Sequence, residues 1–336
     1  MSSTRRPTMT DVAKMAGVSL KTVSRVVNGV ATVDEEMAAS VNTAIAALGY
    51  RHNLLAASLK AGSGASLVGL ITTDLSDPFY GSVANAVDEV ARARGFGVLM
   101  TGSAEDASLE RSIALDLCAR QVRGLIVVPA SDSGEYLQEE VARGLRVVFA
   151  DRPAAGIDAD TVLVDNRGLG RRMANLAVSR GHRRVGILLG SESIYTHRER
   201  YLGITEALSD AGVAIDPDLV VRDVSEPHGA EGGSRRVLSL PDPPTALLCT
   251  NNRLMLGAVT ALCHTRQTAD IIAFDDPEYS EVLPMPVTLI AQNPVELGRV
   301  AAERLFARLE GDESVARTFV LPTQLVVRGG LWRPGA

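Results

Sequence analysis

Lys21 and Arg25 stand four residues apart in the run Ser19-Leu-Lys-Thr-Val-Ser-Arg-Val-Val-Asn28, a spacing that puts two long cationic donors on one face of a helix. Donors so placed can each reach guanine O6 and N7 across a major groove, and Leu20 beside them can make an apolar contact. The rest of the run fits a helix. Val23, Val26 and Val27 form a buried stripe at i, i+3 and i+4, while Leu20, Lys21, Ser24, Arg25 and Asn28 face outward and Ser19 is the N-cap. Upstream, Thr10 is a candidate N-cap for a first helix, Asp11 suits its first turn, and Gly17 sits where a chain leaving a helix needs positive φ. Two short helices of this kind, the second offering donors near its N-terminus, have the geometry of a helix-turn-helix. The candidate DNA contacts are Thr10, Ser19, Leu20, Lys21, Thr22, Ser24, Arg25 and Asn28. An ordinary amphipathic helix pair with a solvated polar face stays open on these residues alone.

A third helix is signalled by Asp34 as N-cap, the apolar stripe Met37, Val41, Ala44, Ile45, Leu48, and the stop at Gly49. With the order Asp-Val-Ala, Ala-Gly-Val-Ser, Thr-Val-Ser-Arg-Val-Val-Asn, the segment resembles the headpiece of the LacI/GalR (lactose/galactose repressor) family of bacterial transcription regulators, and the resemblance extends over almost the whole chain. It implies an all-α helix-turn-helix headpiece over 8–52, a hinge helix and linker over 53–65, and a two-lobed α/β core over 66–330. That core would be of the periplasmic-binding-protein type, with two doubly wound parallel sheets. The resemblance also implies that the hinge helix pairs with its symmetry mate in the minor groove and inserts a leucine. The matching positions are Leu59, with Ala56 in the Ala-x-x-Leu pattern and Asn53 at the helix start, although His52 stands where the family commonly has proline. Packing of Leu54, Leu55 and Leu59 on the body is the alternative.

Charge supports the division. The chain has 336 residues, 46% hydrophobic and 22% charged, with formal net charge −6. Residues 1–61 hold seven basic and four acidic side chains, a balance of +3, and contain every lysine of the protein, Lys14, Lys21 and Lys60. A basic module on an acidic body attracts phosphate without coating the rest of the surface in nucleic acid. No apolar run is long enough to span a bilayer and the N-terminus lacks a signal-peptide segment, so a cytoplasmic protein, nucleoid-associated when bound to its operator, is expected. Cys118, Cys249 and Cys263 read as reduced, buried thiols.

From Ser66 the pattern alternates between strand and helix. Strand-like runs fall at 67–73, 97–101, 124–129, 146–150, 161–164, 185–190, 245–249 and 271–274, the signature of parallel sheets covered by helices. The resembled fold implies lobe crossings near Val164, Gln292 and Pro322. Residues 66–164 with 293–321 would form the first lobe, and 165–291 with 322–330 the second. Ligands of such sheets lie beyond the carboxyl ends of the strands. Candidates there are Asp74, Phe79, Tyr80, Asp151, Arg152, Arg198, Arg200, Asn251, Asp275 and Asp276. Of these, Asp151, Arg200, Asn251 and Asp275, together with Gln292, match effector-binding positions of the family. Asn251-Asn252 replaces the family's Asn-Asp, and Val224 stands where many members place a stacking aromatic, leaving Phe79, Tyr80 or Tyr195 to supply a ring.

Enzyme chemistry has little support. Gly168-Leu-Gly170 is a weak dinucleotide-turn signal, no lysine follows residue 60, the five histidines lack metal-ligand spacing, and no Gly-x-Ser-x-Gly elbow occurs. No metal or cofactor is expected. The expectation is a DNA-binding regulator, a repressor acting as a homodimer on a pseudo-palindromic operator, controlled by a small polar, sugar-like effector between the lobes. The glycine- and proline-containing end at 327–336 opposes the tetramerising helix that some relatives append. A solute-binding protein and an α/β enzyme with an accessory DNA domain are the alternatives.

Overall fold

The computed structural model describes residues 7–27, 33–50 and 66–330, in two compact units divided at Ala65 and Ser66. Asn28, the hinge candidates Asn53, Ala56 and Leu59, and the C-terminal 331–336 lie outside the described residues.

The first unit consists of α1 (Met9–Ala16), α2 (Leu20–Val27) and α3 (Glu35–Leu48). Thr8, not Thr10, caps α1. Its hydroxyl accepts from the Asp11 amide at 3.3 Å while the Asp11 carboxylate accepts from the Thr8 amide at 2.8 Å. This reciprocal arrangement needs an acid three residues after the cap, and Thr10 has none; it stands exposed in the first turn. Ser19 caps α2 through the Thr22 amide at 3.1 Å, Asp34 caps α3, and Gly17 (φ 68°) closes α1 in the left-handed region. Val12, Ala13, Val23, Val41 and Ala44 form the core, with Val26, Val27, Ile45 and Leu48 packed around it. Met37 is instead exposed: it lies in the first turn of α3, off the face that meets α1 and α2.

The second unit holds two six-stranded sheets. The first contains β1 (Leu67–Thr72), β2 (Gly97–Gly102), β3 (Gly124–Val127), β4 (Arg146–Ala150), β5 (Asp160–Leu163) and β11 (Thr318–Val320), in the order β11-β5-β4-β3-β1-β2. The second contains β6 (Val185–Leu188), β7 (Val220–Val221), β8 (Ala246–Cys249), β9 (Asp270–Phe274), β10 (Val287–Ala291) and β12 (Gln324–Arg328), in the order β12-β10-β9-β8-β6-β7. The orders are equivalent, so each strand of one lobe has a counterpart in the other. The chain passes between sheets after β5, after β10, and between β11 and β12. One strand departs from the parallel expectation: β12 runs antiparallel to β10, because only three residues separate it from β11 and it enters its sheet at the edge from the opposite direction.

Helices cover both faces of each sheet. Around the first sheet, α4 (Pro78–Ala93) and α11 (Pro294–Leu309) pack on one face, α5 (Ala107–Ala119) and α6 (Gln138–Ala142) on the other. Around the second, α7 (Asn166–Ser179) and α8 (Tyr195–Asp210) oppose α9 (Pro227–Leu238) and α10 (Asn252–Thr265). The apparent dinucleotide turn is a packing device. A Cβ on Gly170 would stand 2.2 Å from the Arg200 carbonyl oxygen, and one on Gly203 would stand 2.0 Å from that of Arg167, so these glycines let α7 and α8 approach backbone to backbone. The cysteines are all free, but only Cys249 is buried; Cys118 is half-buried and Cys263 exposed, on the outer side of α10.

Candidate effector cleft and DNA-reading helix

In the first unit, Leu20, Lys21 and Arg25 are exposed on α2, with Thr22 and Ser24 half-buried beside them. Val23, fully buried, anchors the helix from behind, so the polar face is set by packing and not by the donors themselves. Ser19 is committed to the cap.

In the second unit, the carboxyl ends of the strands of both sheets face a cleft of 1090 Å³. Asp74, Phe79 and Tyr80, following β1, line it from one lobe with Asp151; Arg200, Asn251, Asp275 and Gln292 line it from the other. Asp151 follows β4 and Asp275 follows β9, which are equivalent strands. Both adopt left-handed backbone, φ 66° and 67°, and each donates its amide to the neighbouring strand, to Val162 at 2.8 Å and Ile290 at 3.0 Å. Aspartate tolerates that region better than most residues, but the conformation still has a cost and recurs where a side chain must be aimed at a site. Two carboxylates are thus presented from opposite walls by the same backbone device.

Arg200 feels the charge of both. Its Nη1 donates to the Thr250 carbonyl at 2.6 Å and its Nε to Asn166 Oδ1 at 2.8 Å, and the guanidinium stands 4.0 Å from the centre of the Phe274 ring. Asp275 accepts from Gln292 Nε2 at 2.7 Å, and the Tyr80 hydroxyl donates to Asp151 at 3.3 Å. Burial pushes the Asp275 carboxyl up to about 6 against the opposing pull of Arg200 and Gln292. Burial also takes the His197 imidazole down to about 3, helped by Arg200 and Arg152, so that this ring is neutral while its Nδ1 shares a 2.8 Å hydrogen bond with Thr250 Oγ1. Phe79 and Tyr80 meet edge to face with centroids 5.2 Å apart, and Val224 lines the opposite wall in place of a ring.

Several expected residues do other work. Arg198 is absent from the cleft wall: its Nη2 donates to Asp132 of the other lobe at 2.9 Å, and its guanidinium lies 5.8 Å from the centre of the Tyr195 ring. Its position on α8 turns it two residues away from the face that carries Arg200. Asp276 is paired with Arg328 and Ser280. Asp74 lines the cleft but is bound at 2.9 Å by Arg253 of the opposite lobe. Asn252 Nδ2 donates to Asp77 at 3.1 Å, also across the lobes, and an aspartate at 252 would have faced that carboxylate with like charge. Sequence reasoning missed Asp77, Glu105, His197 and Arg253, which line the cleft too. Placement at strand ends could have flagged Glu105, three residues past β2, but the pairings span 47 to 179 positions and leave no local trace.

The shift at Asp275 has a measurable consequence. Below about pH 4 the carboxyl is protonated in folded and unfolded chains alike; as pH rises through about 6 the folded protein must ionise a buried group, and that contribution to stability is lost. Asp275→Asn is therefore expected to be more stable than wild type above pH 6, by roughly 1–3 kcal/mol, with the advantage vanishing near pH 4. Denaturation curves of the two proteins across this range provide the check; a difference independent of pH would show that ionisation of Asp275 carries no such cost.

Among the described residues no helix is long and apolar enough to cross a membrane, and no group of three or more histidine, cysteine or acidic side chains could hold a metal. A family model described as bacterial regulatory proteins, lacI family, matches residues 8–53, and one described as a periplasmic binding protein-like domain matches residues 174–330. The ribose operon repressor of Haemophilus influenzae is 30% identical over 330 residues, which cover 97% of this chain and 98% of that protein. The HTH-type transcriptional repressor PurR of Haemophilus influenzae (strain PittEE) is 30% identical over 335 residues, covering 96% and 97%. Among solved structures, the Lac repressor bound to ONPG in the repressed state aligns with TM-score 0.82 at 26% identity over 96% of this chain and 98% of that one. A complex of the transcriptional regulator CelR with cellobiose aligns with TM-score 0.70 at 26% identity over 97% and 100%. With a helix-turn-helix unit early in its sequence, a two-lobed core later in the sequence and relatives at 30% identity along nearly its whole length, the chain belongs to the lacI family of bacterial regulatory proteins.

Proposed function

We propose that this protein is a cytoplasmic transcriptional repressor that holds a pseudo-palindromic operator as a homodimer and is controlled by a small, sugar-like effector in the interlobe cleft. The observation that carries the reading is the cleft itself: in a chain that begins with a helix-turn-helix, polar groups from both lobes converge on one space through matched strand ends. Lys21 and Arg25 read base edges, Leu20 makes an apolar contact, and Thr10, Ser19, Thr22, Ser24 and Asn28 serve the same interface. Asn53, Ala56 and Leu59 belong to the hinge, with Leu59 wedging the minor groove. Asp151, Arg200, Asn251, Asp275 and Gln292 hold the effector, with Phe79 and Tyr80 against its apolar face. The cellobiose carried by CelR supports a sugar as the ligand class. Catalysis has no role in this reading, and the cleft requires no cofactor.

Coupling follows from linkage. An effector that binds one lobe arrangement better than another shifts the population of arrangements, and operator affinity changes by the same differential free energy.

The test compares operator and scrambled duplexes. Wild type should prefer the operator at a stoichiometry of two chains per duplex. Leu59→Ala, which removes a wedge and no charge, should weaken operator binding by roughly tenfold or more while leaving the salt-sensitive binding to scrambled DNA unchanged. Equal loss on both duplexes would contradict the wedge, and the absence of any operator preference in wild type would favour a solute-binding protein.

A further inference from the structure

Glu105 reaches the cleft through a constrained backbone. In the turn that follows β2, Ala104 (φ 51°) and Glu105 (φ 59°) both occupy the left-handed region, and neither is glycine, asparagine or aspartate. Two consecutive residues of this kind are unfavourable unless the surroundings hold them. What they deliver is a carboxylate set squarely on a buried guanidinium: Arg152 Nη1 donates to Glu105 Oε2 at 2.6 Å and Nη2 to Oε1 at 2.7 Å. Arg152 is 5% exposed, lines the cleft, and is further fixed by a 3.1 Å bond from Nη1 to the Pro129 carbonyl. This two-pronged contact is the one a phosphate or carboxylate ligand would otherwise make with arginine.

The other guanidinium groups of the cleft are similarly engaged. Arg253 is paired with Asp74 and Glu226, and Arg200 is flanked by Asp151 and Asp275 while its Nε and Nη1 are spent on Asn166 and Thr250. Seven carboxylates line the space against three guanidiniums. An anion entering it meets excess like charge and finds the best-shaped arginine fork already filled. A neutral ligand meets carboxylates able to accept hydroxyl donors from both walls.

We propose that Glu105 is a specificity-determining residue: its carboxylate occupies Arg152 as a built-in anion, so that the cleft accepts uncharged polyhydroxylated ligands and rejects those bearing phosphate or carboxylate. This rests on the reading of the cleft as the effector site, and it assigns selection against anions to one ion pair.

The experiment uses full-length protein and thermal denaturation, with inorganic phosphate as probe against sodium chloride at matched ionic strength. Wild type should show no phosphate-specific rise in melting temperature. Glu105→Gln, which keeps the length and one acceptor oxygen but frees the guanidinium, should show a saturable rise, and Glu105→Gln combined with Arg152→Met should lose it again. In parallel, wild type is titrated with neutral sugars and polyols and with their phosphorylated and acid forms; neutral compounds should act at concentrations at least tenfold lower than their charged counterparts. The proposal is overturned if wild type itself responds to phosphate or responds best to an anionic sugar, or if Glu105→Gln melts cooperatively yet gains no phosphate response. Should no sugar of any charge stabilise wild type, the effector reading fails, while the phosphate response of the variant still decides what Glu105 does.

Discussion

Arg200→Ala is expected to lower the stability of the core by about 2–4 kcal/mol and to reduce effector affinity by roughly tenfold to a hundredfold. The two effects have separate causes. Arg200 is 3% exposed; its loss leaves the Thr250 carbonyl and Asn166 Oδ1 without their donor, removes the cation stacked on Phe274, and deprives Asp151 and Asp275 of a nearby positive charge. The affinity loss is that of one charge-assisted hydrogen bond to the ligand. Arg200→Lys separates them, since an ammonium restores charge without the planar fork; it should recover part of the stability and little of the affinity. Denaturant unfolding and calorimetry measure the two quantities, and unchanged ligand affinity in both variants would remove Arg200 from the effector site while leaving its structural role intact.

The second large effect lies in the first unit. Arg25→Ala is expected to cut the preference for operator over scrambled DNA by about 1–3 kcal/mol, the value of one good base contact, with no change in the fold of the headpiece. The fold is spared because Arg25 is exposed, while α2 is held by Val23 and by the Ser19 cap. Lys21, one turn earlier on the same face, should behave alike if both read bases. Isotherms across a set of single-base operator variants locate the contact: loss of discrimination at one position identifies a base, and uniform weakening at every position with a shallower salt dependence would instead make Arg25 a phosphate contact.

The parts of this molecule that could be read from its residues are those whose cause is local. Short apolar runs located eight strands of the core and a period-3.6 pattern the three helices of the headpiece, because most of the apolar residues that produce these patterns are the ones that become buried. The strands without a counterpart in that reading are β7, two residues long, β10, hidden in the run after Leu283, and the edge strands β11 and β12, whose Val320, Leu325 and Val327 remain exposed and give no core signal. The cap of α1 went to Thr8 because capping depends on an acid three positions on, a criterion that Thr10 fails. In the cleft, strand ends pointed to Asp151 and Asp275. They could not show that Arg198 would turn to Asp132, that Arg253 would cross to Asp74, or that Glu105 would close on Arg152. Those outcomes are fixed by long-range packing of two lobes, in which residues far apart in sequence become neighbours.

Occupancy of the cleft is expected to change the hold of the headpiece on its operator. Fluorescence anisotropy of the operator duplex titrated with the dimer, with and without a saturating concentration of a neutral sugar or polyol that raises the melting temperature of the core, tests it most directly. Half-saturation points should be separated by tenfold or more in wild type and coincide in Asp275→Asn. Superimposable wild-type isotherms, with the compound shown by calorimetry to be bound, would contradict it.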